Sequence, residues 1–255
     1  MKLPSSKAGF TIVETMLFLA ITGLLIMGVL AGVGNSVNNQ KYHDSITSLQ
    51  SKLQEQYSDT SSVDNDRSAT AFMSCYPDAT VETGGSTPLP LGQSDCVILG
   101  KYITYNDDSK LVIRKVIGYI TPGTLPLAND VLTLAAYKMK PLLLNDISSE
   151  TYDIEWGSTL VGDKTADTSH LYFSMLILRS PLSGVARTFI KTGSVATDSN
   201  IKSLLDDGLN QSLKMCIKDT GTVLGSGDRS AVFVIANTTG TSGVQVQGGA
   251  SSLCN

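Results

Sequence analysis

The 255-residue chain carries 19 basic and 23 acidic side chains, a net charge of −4, so no basic excess makes nucleic acid its default partner. Only 16% of its residues are charged, against roughly 25% in an ordinary soluble domain, so polar surface must come from Ser, Thr, Asn and Gly, as suits an extracellular setting. Ordinary counts of glycine (23) and proline (8), with no long charged repeat, exclude collagen-like, coiled-coil and disordered readings.

The chain opens with Met1 to Gly9, short and polar, with cations at Lys2 and Lys7. Phe10 to Gly34 follows, an apolar run in which Glu14 is the one charge. As a helix this run spans about 37 Å at about 1.5 Å per residue, enough to cross a bilayer core about 30 Å thick with some tilt. The next basic residue is Lys41, so the positive-inside rule places the N-terminus in the cytoplasm and the remainder outside. Three fates suit such a segment. A secretory signal would be cut before Gly32, where Val29 and Ala31 satisfy the small-residue rule, although the run exceeds the roughly 7–15 apolar residues of a signal core. It could stay as an anchor, or be cut between Gly9 and Phe10 with the helix retained. Glu14 bears on the choice. A carboxylate near the centre of a membrane helix costs about 2.5–3.5 kcal/mol. Near the start the cost is lower and the side chain can snorkel, but an anchor gains nothing from it.

The string Gly9-Phe10-Thr11-Ile12-Val13-Glu14, behind a short basic leader and ahead of an unbroken apolar helix, resembles the class III signal of type IV pilins and type II secretion pseudopilins. The resemblance covers roughly the first quarter of the chain. It implies cleavage by prepilin peptidase after Gly9, N-methylation of Phe10, and assembly with other pilins or pseudopilins through the N-terminal helix. It also implies the cytoplasmic membrane as the precursor's location, a pilus or type II secretion assembly machinery as partner, and a periplasmic or cell-surface filament as destination. In such a filament Glu14 would neutralise the Phe10 amine of a neighbouring subunit. Each ion costs several kcal/mol when buried alone and far less when paired, so Glu14 would reward one axial register and penalise others. The length left after the leader is removed exceeds that of most major pilins and points to a minor pilin or a pseudopilin. Many family members carry a proline within the helix; this chain has none there, and Gly32–Gly34 is the expected place for a kink. Gly23, Gly28, Gly32 and Gly34 each cost up to about 1 kcal/mol in a helix relative to alanine, which reads either as close helix packing or as ordinary membrane composition.

From Asn35 to about Tyr57 the pattern turns amphipathic. Val37, Ile46, Leu49, Leu53 and Tyr57 recur at helical spacing, while Lys41, Asp44, Lys52 and Glu55 face away. One helix is therefore expected from Phe10 to about Ser58, followed by a polar loop, Ser58 to Thr70. Strands are expected at Cys96 to Asn106, Lys110 to Ile120, Thr151 to Trp156, Leu171 to Ser180, Leu213 to Ile217, Ser230 to Asn237 and Gly243 to Gln247. A hairpin turn is expected at Asn106 to Ser109. Val131 to Leu144 reads as a short helix ended by Pro141 or as a strand. Ser199 to Leu213 reads as a helix, with Ile201, Leu204, Leu205, Leu209 and Leu213 on one side. The expected organisation is a leader (1–9), a transmembrane and assembly helix (10–34), an amphipathic continuation (35–58) and a periplasmic or extracellular β-rich domain (59–255), with two β subdomains as the alternative. The fold class is α+β: a long N-terminal helix packed on a C-terminal antiparallel sheet, pilin-like as the resemblance implies.

Four cysteines, Cys75, Cys96, Cys216 and Cys254, all lie beyond the apolar run, on the side expected to be oxidising. Sequence-local pairing gives Cys75–Cys96 and Cys216–Cys254, two other pairings remain open, and free buried thiols are the plain alternative. Among family members a bridge often ties the C-terminus to a strand, as Cys216–Cys254 would. No zinc site is expected, because no C-x2-C spacing exists and the histidines are His43 and His170 alone. Asp64 with Asp66, Asp107 with Asp108, and Asp206 with Asp207 match no full calcium loop and read as turn or surface carboxylates. Some pseudopilins hold calcium in the globular domain, but no residue here carries that over. No cofactor is expected. With no G-x-S-x-G, P-loop or H-E-x-x-H, no catalytic residue is assigned and an enzyme is not expected. Trp156 and the tyrosines read as core or sheet pairs. The function expected is a structural filament subunit. The alternative is a single-pass anchored or secreted surface domain that binds a ligand or substrate without polymerising.

Overall fold

The computed structural model describes residues 11–62, 73–83, 96–106, 110–121, 123, 128–142, 149–162, 171–207, 212–218, 230–235 and 243–247. The chain divides into two compact units, Met1–His43 and Asp44–Asn255. Helix α1 (Ile12–Ser61) runs without a break from the first into the second. Leucine is the commonest residue of its first half, a strong helix former, and no proline interrupts the run. The helix continues through Gly32 and Gly34, so the melted turn expected there is absent; a carbon added at Gly23, Gly28, Gly32 or Gly34 would meet nothing within 4 Å. The helix also passes Ser58, the expected start of a loop. Thr60, Ser61 and Ser62 donate their hydroxyls to the carbonyls four residues back, at 2.8, 2.8 and 3.0 Å, a second bond to acceptors of the last turn that keeps these polar side chains satisfied on the helix.

In the second unit, α1 is followed by β1 (Met73–Cys75), β2 (Val81–Thr83), β3 (Cys96–Asn106), β4 (Lys110–Tyr119), α2 (Asp130–Ala136), β5 (Lys138–Pro141), β6 (Ser149–Asp153), β7 (Thr159–Gly162), β8 (Tyr172–Arg179), β9 (Ala186–Thr192), α3 (Ser203–Asp207), β10 (Leu213–Lys218), β11 (Ser230–Ile235) and β12 (Val244–Gln247). The fold is thus α+β. An antiparallel six-stranded sheet has the order β5-β4-β3-β8-β9, with β6 also beside β4. A four-stranded sheet has the order β12-β11-β10-β7, and β1 pairs with β2 as a hairpin. Both larger sheets belong to the one unit. Tyr105 of β3 joins them, its hydroxyl accepting the amide of Leu160 of β7 at 3.3 Å.

The six-stranded sheet is covered on both faces. On one face lies the C-terminal part of α1, where Ile46, Leu49, Leu53 and Tyr57 are buried together with Ser45, Gln56 and Thr60. This stretch is tied to β9 through Tyr57 and Thr188 (2.9 Å), to β6 through Tyr152 and Ser48 (3.0 Å), and to β3 through Lys101 and Asp59 (3.2 Å). Side chains alternate along a strand. The opposite face therefore presents Tyr102, Val116, Leu176, Leu178 and Phe189, which form one core with Leu134 of α2, Tyr137, Met139, Ile201 and, on α3, Leu204 and Leu205. Burial of β8 from both sides explains its unbroken apolar run Met175 to Leu178. At Gly100 β3 departs from regular pairing, and an added carbon would overlap the carbonyl oxygen of Ile177 on β8. Only glycine allows that approach.

Several expectations need correction. Val37 is exposed rather than packed, and Lys52, expected to face away, folds onto the sheet as an ion-pair partner of Glu150 and Glu55. The ambiguous Val131 to Leu144 is both helix and strand. Asn129 caps α2 through its side chain at 2.9 Å from the Leu132 amide, and Tyr137 turns the chain into β5, where Pro141 ends the strand. Among the described residues, the helix expected at Ser199 to Leu213 is α3, preceded by a 3-10 turn at Asp198–Asn200; Leu213 already belongs to β10, and Leu209 lies outside the described residues. The strand at Thr151 to Trp156 starts earlier and stops at Asp153, because the chain must turn through Glu155–Gly157 to reach the other sheet. That turn places Trp156 (φ 60) and Gly157 (φ 71) in the left-handed region and leaves Trp156 54% exposed rather than in the core. The hairpin turn expected at Asn106 to Ser109 falls largely outside the described residues, although β3 and β4 pair antiparallel on either side of it.

Candidate functional site

The first half of α1 is the most unusual surface of the chain. From Ile12 to Leu30 its large apolar side chains stand 53–77% exposed. Among the described residues it is the one helix long and apolar enough to cross a membrane, by length and composition. Its polar groups are satisfied locally. Thr15 donates to the Ile12 carbonyl at 2.9 Å and Thr22 to the Phe18 carbonyl at 2.8 Å, so neither hydroxyl asks for water along an apolar rod.

Glu14 is exposed in the first turn. Its amide donates to the side-chain oxygen of Thr11 at 3.3 Å and to the Thr11 carbonyl at 3.1 Å. Thr11 is thus the N-cap and Glu14 the third helical residue. There a carboxylate also meets the positive end of the helix dipole. The sequence signal for this cap is T-x-x-E ahead of an apolar run, the capping-box spacing. Gly9 and Phe10, the expected cleavage and methylation residues, lie outside the described residues.

The remaining candidates are scattered through the second unit. Cys75 at the end of β1 and Cys96 at the start of β3 form a disulfide with Cα atoms 5.7 Å apart. Cys216 on β10 is also disulfide-bonded, and Cys254 lies outside the described residues. His43 is exposed on α1 with its ring edge-on to Tyr42 at 6.0 Å, whereas His170 lies outside the described residues, as do Asp64, Asp66, Asp107 and Asp108. Asp206 is exposed on α3. Among the described residues no group of three or more His, Cys, Asp or Glu side chains could hold a metal ion.

A shallow cleft of about 430 Å³ lies between the β1–β2 hairpin and β5, lined by Tyr76, Pro77, Asp78, Thr80, Glu82 and Lys138. Lys140 lies 2.7 Å from Asp78 and, with the Thr80 hydroxyl, holds that carboxyl far below the usual carboxylate range. The Glu82 carboxylate beside Tyr76 pushes its phenol up. Comparison with protein-family models, with curated proteins and with solved structures finds no match to this chain.

Proposed function

We propose that this chain is a structural subunit of a type IV pilus or type II secretion-type filament, a minor pilin or pseudopilin rather than an enzyme. The precursor is held in the cytoplasmic membrane with its N-terminus inside, cut after Gly9 by prepilin peptidase, and assembled with other pilins or pseudopilins through α1. The observation that carries this reading is an exposed apolar helix whose first turn holds a single carboxylate, directly behind the string Gly9-Phe10. Cleavage creates an ammonium on Phe10. In a bundle of such helices with little water, that cation and the Glu14 anion of another subunit each remove the other's desolvation cost. The apolar faces supply attraction without direction, and the ion pair selects one stagger.

N-terminal sequencing of the mature protein tests the processing step. A methylated Phe10 is expected; a start at Met1 or at Gly32 contradicts it. Shearing of cells that express Glu14→Ala or Glu14→Val tests the second step, with cleavage intact and incorporation impaired as the expected outcome. A second reading, an anchored surface domain that does not polymerise, draws on the Thr11 cap. The cap is made to the residue-14 amide, and the Glu14 carboxylate sits at the positive end of the helix dipole, a local role that needs no neighbour.

A further inference from the structure

We propose that the cleft between the β1–β2 hairpin and β5 is a binding site for a neutral saccharide, stacked on Tyr76 and hydrogen-bonded by Glu82 and Lys138. Its volume of about 430 Å³ lies within the roughly 300–1,000 Å³ of small-molecule sites.

The hairpin is fixed before any ligand arrives. The Cys75–Cys96 disulfide pins the end of β1 to the start of β3. In the turn, the Ala79 amide donates to the Tyr76 carbonyl at 2.9 Å and the Tyr76 amide to the Thr80 carbonyl at 3.0 Å. Ala79 is buried and held at φ 64, a left-handed conformation that a residue other than glycine adopts only under constraint. Lys140 of β5 reaches the turn, donating to Asp78 at 2.7 Å and to the Thr80 hydroxyl at 2.9 Å. These bonds use the backbone, Asp78 and Thr80, and leave the Tyr76 ring, Glu82 and Lys138 lining the cleft.

The chemistry of those three side chains selects the ligand. Tyr76 is 43% exposed, an aromatic face open to solvent. Its hydroxyl donates to one Glu82 oxygen at 3.2 Å, which steadies the ring. Among the described residues nothing bonds the other Glu82 oxygen, and the exposed Lys138 ammonium has no partner. Around the cleft two carboxylates, Asp78 and Glu82, stand against two ammonium groups, Lys138 and Lys140. The charges balance, so an anion or a cation meets repulsion there as well as attraction. An apolar ligand would strip water from Glu82 and Lys138 and return no bond. A sugar hydroxyl both donates and accepts, so one ring can serve the carboxylate and the ammonium together in charge-assisted bonds. The C–H groups on one face of a pyranose supply the apolar surface that an exposed aromatic ring packs against.

The test uses the full-length protein in micelles of a polyoxyethylene detergent, which contains no sugar. Saturation-transfer NMR is recorded with glucose, galactose, mannose and N-acetylglucosamine, and with glucuronate and glucosamine as charged controls. At least one neutral sugar should receive saturation at the ring protons of one face. Tyr76→Ala should weaken its affinity about tenfold, and Lys138→Met by about as much, with melting of the chain unchanged. Tyr76→Phe keeps the ring and should keep the binding. No transfer to any neutral sugar, or transfer that Tyr76→Ala leaves unaltered, overturns the site. Tighter binding of glucuronate or glucosamine than of every neutral sugar would show that net charge selects the ligand, and overturns the assignment too. Binding here needs no filament, so its failure leaves the filament reading untouched.

Discussion

The hydroxyl of Tyr57 on α1 lies 2.9 Å from that of Thr188 on β9, and neither residue has any exposed surface. A single hydrogen bond thus joins two elements 131 residues apart in sequence, at the opposite edge of the sheet from the ion pair of Lys52 with Glu150. Burial pushes the Tyr57 phenol up, so it stays protonated at any physiological pH. Tyr57→Phe leaves Thr188 without its partner and is expected to cost about 1–3 kcal/mol, the desolvation penalty of an unsatisfied buried group. Tyr57→Ala adds a cavity and raises the loss to about 3–5 kcal/mol, by analogy with other large aromatic truncations. Denaturant titration of the detergent-solubilised chain, read by circular dichroism, measures both. A Tyr57→Phe variant of unchanged midpoint would show the bond to be energetically idle.

Glu14→Gln separates the two roles open to that side chain. Glutamine keeps the bond from the residue-14 amide to Thr11 and loses only the helix-dipole interaction, about 0.3–1 kcal/mol, so helix formation should be nearly unchanged. It carries no charge to offset an ammonium. On the filament reading incorporation falls while cleavage persists; on the anchor reading nothing changes. Quantifying the subunit in sheared filaments and in membranes distinguishes them.

Asp130 opens α2 and latches it to the β8–β9 turn. Its carboxylate accepts from the Ser180 hydroxyl at 2.6 Å and from Arg187 at 3.0 and 2.7 Å. The Ser180 bond and then Arg187 hold its carboxyl below the usual range. A folded-state value below the unfolded one, about 3.9, gives stability that is complete above that pH and disappears as pH falls through the folded value. Asp130→Asn should therefore be less stable at pH 7 and show a shallower loss of stability below about pH 4 than the parent chain. Melting temperatures across that range test it, and parallel acid limbs would exclude Asp130 as a contributor.

The Cys75–Cys96 disulfide closes a loop with a sequence separation of 21. In the chain-entropy account such a loop is worth about 3 kcal/mol. Cys75→Ser together with Cys96→Ser should lower stability by about that amount while leaving the far-ultraviolet spectrum intact, since β3 is held by β4 and β8 independently of the bridge. Loss of the β3–β4–β8 sheet signal in the double variant would contradict that independence.

Much of the architecture could be read from side-chain pattern alone. A long run with one charge and no proline, passing into an i, i+3, i+4 stripe of Ile46, Leu49, Leu53 and Tyr57, specifies a helix because both signals are local to its own backbone. β3, β4, β8, β10 and β12 were legible for the same reason, being apolar runs bounded by turn residues. The strands that no local pattern marks, β1, β2, β7 and β9, are short or charged, and β5 lies in a stretch that fits helix and strand alike; each is a strand because a neighbour offers it hydrogen bonds. Arg187 and Lys191 make β9 look like a loop until Phe173 to Arg179 lies beside it. Ile201, Leu204 and Leu205 do bury together, yet their spacing overstated the helix that carries them. Lys52 followed the solvent face of a helical wheel and was turned inward by Glu150, a residue no local window contains. Trp156 has the composition of a core residue and stands in solvent because the passage from β6 to β7 needs a turn there. Helices carry their hydrogen bonds within a few residues, whereas edges, turns and ion pairs depend on partners brought close only when the chain has folded.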